Sequence, residues 1–155
     1  TADWVEYIVS HFADGKRTIS TALAEEICRF TDNYSAYVQQ LSWLVYTQKE
    51  EGERVDEADI KQASEDLLAT NEVLFMQMVE PLSGYQLNFL RAICAGVTKN
   101  FTLSEVREKY HLGSYSNVNR LKTALLERDL IEKEGEELKI TDPVFHKWFQ
   151  RRMMV

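Results

Sequence analysis

Between Thr102 and Phe149 the spacing of apolar residues changes from helical to alternating and back to helical. Thr102 with Glu105 three residues later has the form of a capping box, in which two side chains satisfy helix-terminal amides reciprocally. It predicts a short helix with Leu103, Val106 and Tyr110 buried. His111-Leu112-Gly113 then predicts a tight turn, and Ser114 a cap for a second helix with Val118, Leu121, Leu125 and Leu126 inward. Two helices joined by a short turn containing Gly form a helix-turn-helix. Leu130 to Glu134 and Glu137 to Ile140 flank Gly135-Glu136 and predict a β-hairpin. Asp142-Pro143 opens a last helix, Asp as cap and Pro in the first turn, with Val144, Phe145, Trp148 and Phe149 inward. This succession predicts a winged helix-turn-helix over residues 81–155, the hairpin being its wing.

The preceding residues read as helices alone. Trp4, Ile8 and Phe12 repeat every four residues, with Val5 and Tyr7 widening the stripe. Ser20 caps a second helix carrying Leu23, Ile27 and Phe30, which Thr31-Asp32-Asn33 breaks. A third helix runs over 34–49 with Tyr37, Val38, Leu41, Leu44 and Val45 apolar, followed by a charged loop around Gly52. Asp56 and Asp59 form an acidic capping box, and Val55 and Ile60 a hydrophobic staple, at the start of the fourth. Thr70-Asn71 interrupts that helix before Leu74, Phe75 and Met78. Pro81 and Gly84 bracket the expected boundary. The fold class is therefore mainly α: a helical bundle over 1–80, then the winged helix, whose first helix carries Leu87, Leu90, Ile93 and Cys94 and ends at Gly96.

Charge is divided unevenly. Residues 1–96 carry 7 Lys/Arg and 16 Asp/Glu, a balance of -9, and residues 97–155 carry 11 and 9, a balance of +2. An acidic half and a mildly basic half suggest a division of labour. No apolar run approaches the length of a membrane span, so no membrane partner is expected and the expected compartment is the cytoplasm. Cys28 and Cys94 fall inside apolar helical patterns and read as free, buried thiols. The chain opens on Thr1, which suggests a processed chain or a piece of something longer.

Nothing in the sequence carries catalysis by itself. There is no G-x-x-x-x-G-K-[ST] phosphate loop and no Cys/His cluster with zinc spacing. His11, His111 and His146 are scattered, and Glu50-Glu51-Gly52-Glu53 reads as a solvated loop. No catalytic residue, metal or cofactor is expected in this chain. The candidate functional surface is the outer face of the helix after Ser114, since the start of that helix enters the major groove in helix-turn-helix proteins. It offers Ser114, Tyr115, Ser116, Asn117, Asn119, Arg120 and Lys122, with Lys133 and Lys139 on the wing and Lys99 and Arg107 outside it. Asn pairs with adenine and Arg with guanine. Against that, Glu127, Asp129, Glu132, Glu134, Glu136 and Glu137 would repel phosphate. DNA and a protein partner both stay open here.

Four stretches resemble the C-terminal region of prokaryotic AAA+ ATPases of the archaeal-type group: TDNYSAYVQQL at 31–41, LLATNEVLFMQMVEPLSGYQLNFLRAI at 67–93, GSYSNVNRLKTALLERDLIEK at 113–133 and ITDPVFHKWFQRR at 140–152. The final D-P-x-F-x-x-W is the most specific. The first departs from the family, which has Gly and Pro where this chain has Asn33 and Ser35. The resemblance implies a helical lid followed by a winged helix, attached to a P-loop ATPase core absent from these 155 residues. ATP and Mg are implied for that parent protein, with the lid passing nucleotide state to a winged helix that binds DNA or docks a partner. The alternatives are a stand-alone winged-helix transcription regulator with a helical dimerisation region, and a protein-interaction module.

Overall fold

The computed structural model describes residues 1–154. Among them are nine helices and one two-stranded antiparallel sheet, in two compact units, Thr1–Glu72 and the chain from Val73 onward. The division falls one helix earlier than the Pro81–Gly84 bracket suggests. The helix that precedes the bracket commits Phe75, fully buried, to rings of the second unit: Phe145 at 5.5 Å and Trp148 at 5.6 Å.

The first unit comprises α1 (Ala2–Asp14), α2 (Thr21–Phe30), α3 (Ser35–Thr47) and α4 (Glu57–Thr70). Each helix buries one stripe: Val5, Ile8 and Phe12 from α1, Ala24, Ile27 and Cys28 from α2, Val38, Leu41 and Val45 from α3, and Ile60, Ala63, Leu67 and Leu68 from α4. Ser20 Oγ accepts the Leu23 amide at 3.2 Å. The Asp56–Asp59 capping box closes in both directions, at 3.0 and 2.9 Å, over buried Val55 and Ile60. Asp59 also meets Lys49 Nζ at 2.9 Å, both side chains about 15% exposed. Burial works to raise the Asp59 carboxyl, but the Asp56 amide and the Lys49 ammonium outweigh it and hold it below its ordinary range. The loop around Gly52 is solvent-exposed as expected, and it is also tied to the segment after α1. Thr18 bridges Arg54 in parallel, and Lys16 O accepts the Gly52 amide at 2.7 Å. Tyr7 is a correction: it lies outside the buried stripe, 50% exposed.

The second unit contains α5 (Glu72–Val79, beginning at the division), α6 (Gly84–Cys94), α7 (Ser104–Tyr110), α8 (Tyr115–Glu127), β1 (Ile131–Glu134), β2 (Glu137–Ile140) and α9 (Pro143–Arg152). Ser83 and Gln86 form a capping box on α6 that the sequence reading passed over. Thr102 does not cap α7. Leu103 takes that place without a side-chain bond, and Thr102 instead offers its carbonyl to Arg107 Nε at 2.9 Å. None of α7 is fully buried, and Leu103 is 52% exposed. Phe101 fills the core in its stead, stacked on Phe89 at 4.5 Å. Leu74, expected on an inner face, is 53% exposed. The hairpin pairs Ile131 with Ile140 and Glu134 with Glu137. Its loop has positive φ at Gly135 alone, the pattern that places Gly first in a two-residue turn. Leu138 donates to Thr98 O at 2.8 Å, which joins the wing to the loop after α6. Asp142 caps α9 through the Val144 and Phe145 amides, each at 2.9 Å.

Candidate recognition surface

The α7–α8 connection is built around two side chains. His111 adopts the left-handed conformation that ends α7, and Leu112 is fully buried. Gly113 follows at φ 81°, where an added Cβ would lie 2.8 Å from Asn117 Nδ2. Glycine is required here on both counts. Asn117 Nδ2 donates to Leu112 O at 2.7 Å, and its amide donates to Ser114 Oγ at 3.2 Å. Arg107 closes the other side, reaching Gly113 O at 3.4 Å. Asn117 and Arg107, both candidates for nucleic-acid contact, are thus employed in holding the turn.

The remaining candidates on α8 converge. Ser114 and Ser116 lie with their hydroxyls 3.2 Å apart, exposed at the helix start. Tyr115 is 61% exposed. Ser116, Asn119, Arg120 and Thr123 follow at helical spacing and are all exposed, whereas Lys122 is half-buried beside them. Glu127 closes the same face.

The wing is electrostatically different. Lys133 is exposed, but Lys139 is held by Glu132 and by Glu134, each at 3.4 Å. Glu132 stands directly opposite Lys139 and Glu134 diagonally, both within cross-strand reach. Partial burial works against the Lys139 charge, but the two carboxylates outweigh it and hold its pKa above the ordinary value. Lys139 is therefore already neutralised, while Glu134, Glu136 and Glu137 remain exposed at the tip. Sequence reasoning also missed the apolar flank of this region: Tyr85 is 51% exposed and, with His111 and Gly113, lines a shallow hollow beside the turn.

Elsewhere the chemistry is quiet. Among the described residues no cluster of three or more His, Cys, Asp or Glu is placed to hold a metal ion, and no helix is long and apolar enough to cross a membrane. Cys28 is fully buried; Cys94 is half-buried rather than buried, its thiol pushed up to about 12 by burial. A thiol so shifted is a poor nucleophile.

A Walker-type ATPase of Pyrococcus abyssi shares this fold, with a TM-score of 0.75 at 20% identity over 97% of this chain. The chain spans 41% of that protein's length. No match was found among curated proteins. Residues 73–151 match the family described as "Probable winged helix domain", the stretch that carries the helix-turn-helix, the acidic wing and α9, and the chain belongs to that family.

Proposed function

We propose that this chain is the non-catalytic regulatory and recognition region of a Walker-type ATPase. In this reading the helical unit acts as the lid, and the winged helix docks a protein partner through the exposed face of α8. The observation that carries the first part is the fold shared over nearly the whole chain with part of a larger Walker-type ATPase. ATP and Mg would then belong to the catalytic core of the parent protein. The choice of a protein over DNA rests on the wing and the turn. Asn117, Arg107 and Lys139 are occupied internally, four glutamates line the wing, and Tyr85, Leu103 and Tyr115 offer exposed apolar area. Exposed aromatic and aliphatic side chains next to polar ones are what protein interfaces use.

DNA contact is the second reading, favoured by the Ser114 and Ser116 hydroxyls and Arg120 in the N-terminal half of α8. Two experiments decide. The full reading frame is expected to encode a phosphate loop upstream of Thr1; a start codon immediately before Thr1 would sink the ATPase reading. Fluorescence anisotropy with duplex DNA at low salt is expected to show no saturable binding. Binding whose log affinity falls against log salt with a slope of about -2 to -3, as Arg120, Lys122 and Lys133 would give, would establish the DNA reading instead.

A further inference from the structure

A second surface, independent of the winged helix, lies on the helical unit. α3 contains no Asp, Glu, Lys or Arg over its whole length. A helix on a protein surface normally turns charged or polar residues to water, as α3 does with Ser35, Gln39, Gln40 and Thr47. Here α3 leaves Trp43 64% exposed. Trp43 stacks on Tyr46 at 6.0 Å, and across from them α1 presents Tyr7 stacked on His11 at 5.0 Å. Between the two helices these rings line a cavity of about 520 Å³. A second hollow, lined by Asp3, Trp4, Tyr7 and Gln39, adjoins it and shares Tyr7 and Gln39. Ser42 lines it too, its Oγ buried and without a hydrogen-bond partner. Gly15 permits the close approach of Tyr46, since an added Cβ would clash with Tyr46 Oη.

The groove has a carboxylate at each end, Asp3 and Asp14. They stand eleven positions apart on α1, a rise of about 16 Å, or three helical turns. The unit around it carries 6 Lys/Arg and 15 Asp/Glu over residues 1–72, a balance of -9. A second copy of the chain would bring two such charges together, which the electrostatics oppose. We infer that the α1–α3 groove receives an amphipathic helix of a partner protein, one whose apolar side chains seat among Tyr7, Trp43 and Tyr46 and whose Lys or Arg residues, about three turns apart, reach Asp3 and Asp14. Helix-in-groove recognition reads apolar anchors at three- and four-residue spacing. The flanking charges fix the register and speed the encounter.

The test is fluorescence anisotropy of the 155-residue chain with a labelled synthetic helix of about four turns, carrying a leucine stripe and a lysine cluster at each end. A second peptide replaces every lysine with glutamate. The lysine peptide is expected to bind saturably and the glutamate peptide not at all. Trp43→Ala is expected to weaken the lysine peptide about tenfold or more, as an anchor residue should. The double variant Asp3→Asn with Asp14→Asn should weaken it and flatten its salt dependence. Circular dichroism of each variant checks that the fold is kept, and exposure of all three side chains makes that the expected result. Equal binding of both peptides, binding that survives Trp43→Ala, or no binding of the lysine peptide at millimolar concentration would each overturn the proposal. The outcome is independent of the winged-helix reading, because that surface contributes none of these residues.

Discussion

The two units differ in where they put Phe and Trp, although each exposes tyrosines. In the second, Phe75, Phe89, Phe101, Phe145, Trp148 and Phe149 are all buried. Phe145 touches Phe75, Trp148 and Phe149 at ring separations of 5.5 to 5.8 Å. In the first, Phe12 is the one fully buried ring among the described residues, and the core is otherwise aliphatic. Of its other rings, Trp4, Tyr37 and Tyr46 are half-buried, and Tyr7 and Trp43 face solvent. Buried rings add large apolar area to a core that also holds Leu90, Leu112, Leu125 and Val144. Exposed rings add little to folding, and a contiguous patch of them points to something that covers it. The comparison teaches that aromatic content says little about stability until the direction of each ring is known.

The sharpest way to break this comparison is Phe145→Ala. It should destabilise the second unit by about 3–5 kcal/mol, as truncation of fully buried aromatics does, read by urea unfolding. A loss below about 1 kcal/mol, the size expected away from a packed core, would mean that the ring cluster does not hold the unit. An intermediate effect belongs to the first unit's polar fastening. Asp56→Ala removes a cap and should cost about 1 kcal/mol. The neighbouring Asp59 adds a pH dependence with a definite sign. Its carboxyl is held below the ordinary value of 3.8. The contribution is thus present above that pH and is lost as pH falls through the lower folded value. Thermal melts should fall off below about pH 4, and less steeply once Asp59→Asn removes the group. The smallest effect is Trp43→Ala, which should change stability by no more than about 0.5 kcal/mol while weakening peptide binding about tenfold or more. A large loss of stability would show that Trp43 belongs to the core after all.

Several helix starts were legible because capping is local. Ser20, Asp56 and Ser114 each satisfy an amide three residues on, and no distant residue is needed to foresee it. The wing turn was legible for the same reason, as Gly135 alone admits the required φ. What escaped was decided by tertiary packing. Whether Leu103 or Phe101 enters the core depends on where Phe89 lies, and Phe89 makes the stacked pair with Phe101. The outward turn of Tyr7 was hidden because it shares a helical stripe with Trp4 and His11, and periodicity alone does not say how wide the buried part is. Of the candidate positions on α8, the exposure of Tyr115, Ser116, Asn119 and Arg120 was legible from helical spacing. The internal bonds of Asn117, Arg107 and Lys139 were not, since each is made to a residue that only the folded turn or hairpin brings near.

The tie between the loops after α1 and after α3 has a consequence for motion. Thr18 donates to Glu53 O and accepts from Val55, and Lys16 accepts from Gly52. Arg17, between them, reaches Gly15 O, Lys49 O and the Tyr46 hydroxyl, each within 2.9 Å. Two segments more than thirty residues apart therefore share one set of bonds, and neither can swing open while the other stays closed. The amides of Thr18, Gly52 and Val55 form a single cooperative opening unit. Its opening would also release Tyr46 from Arg17, so the fluctuation that exposes these loops to solvent is the same one that loosens the aromatic wall of the α1–α3 groove.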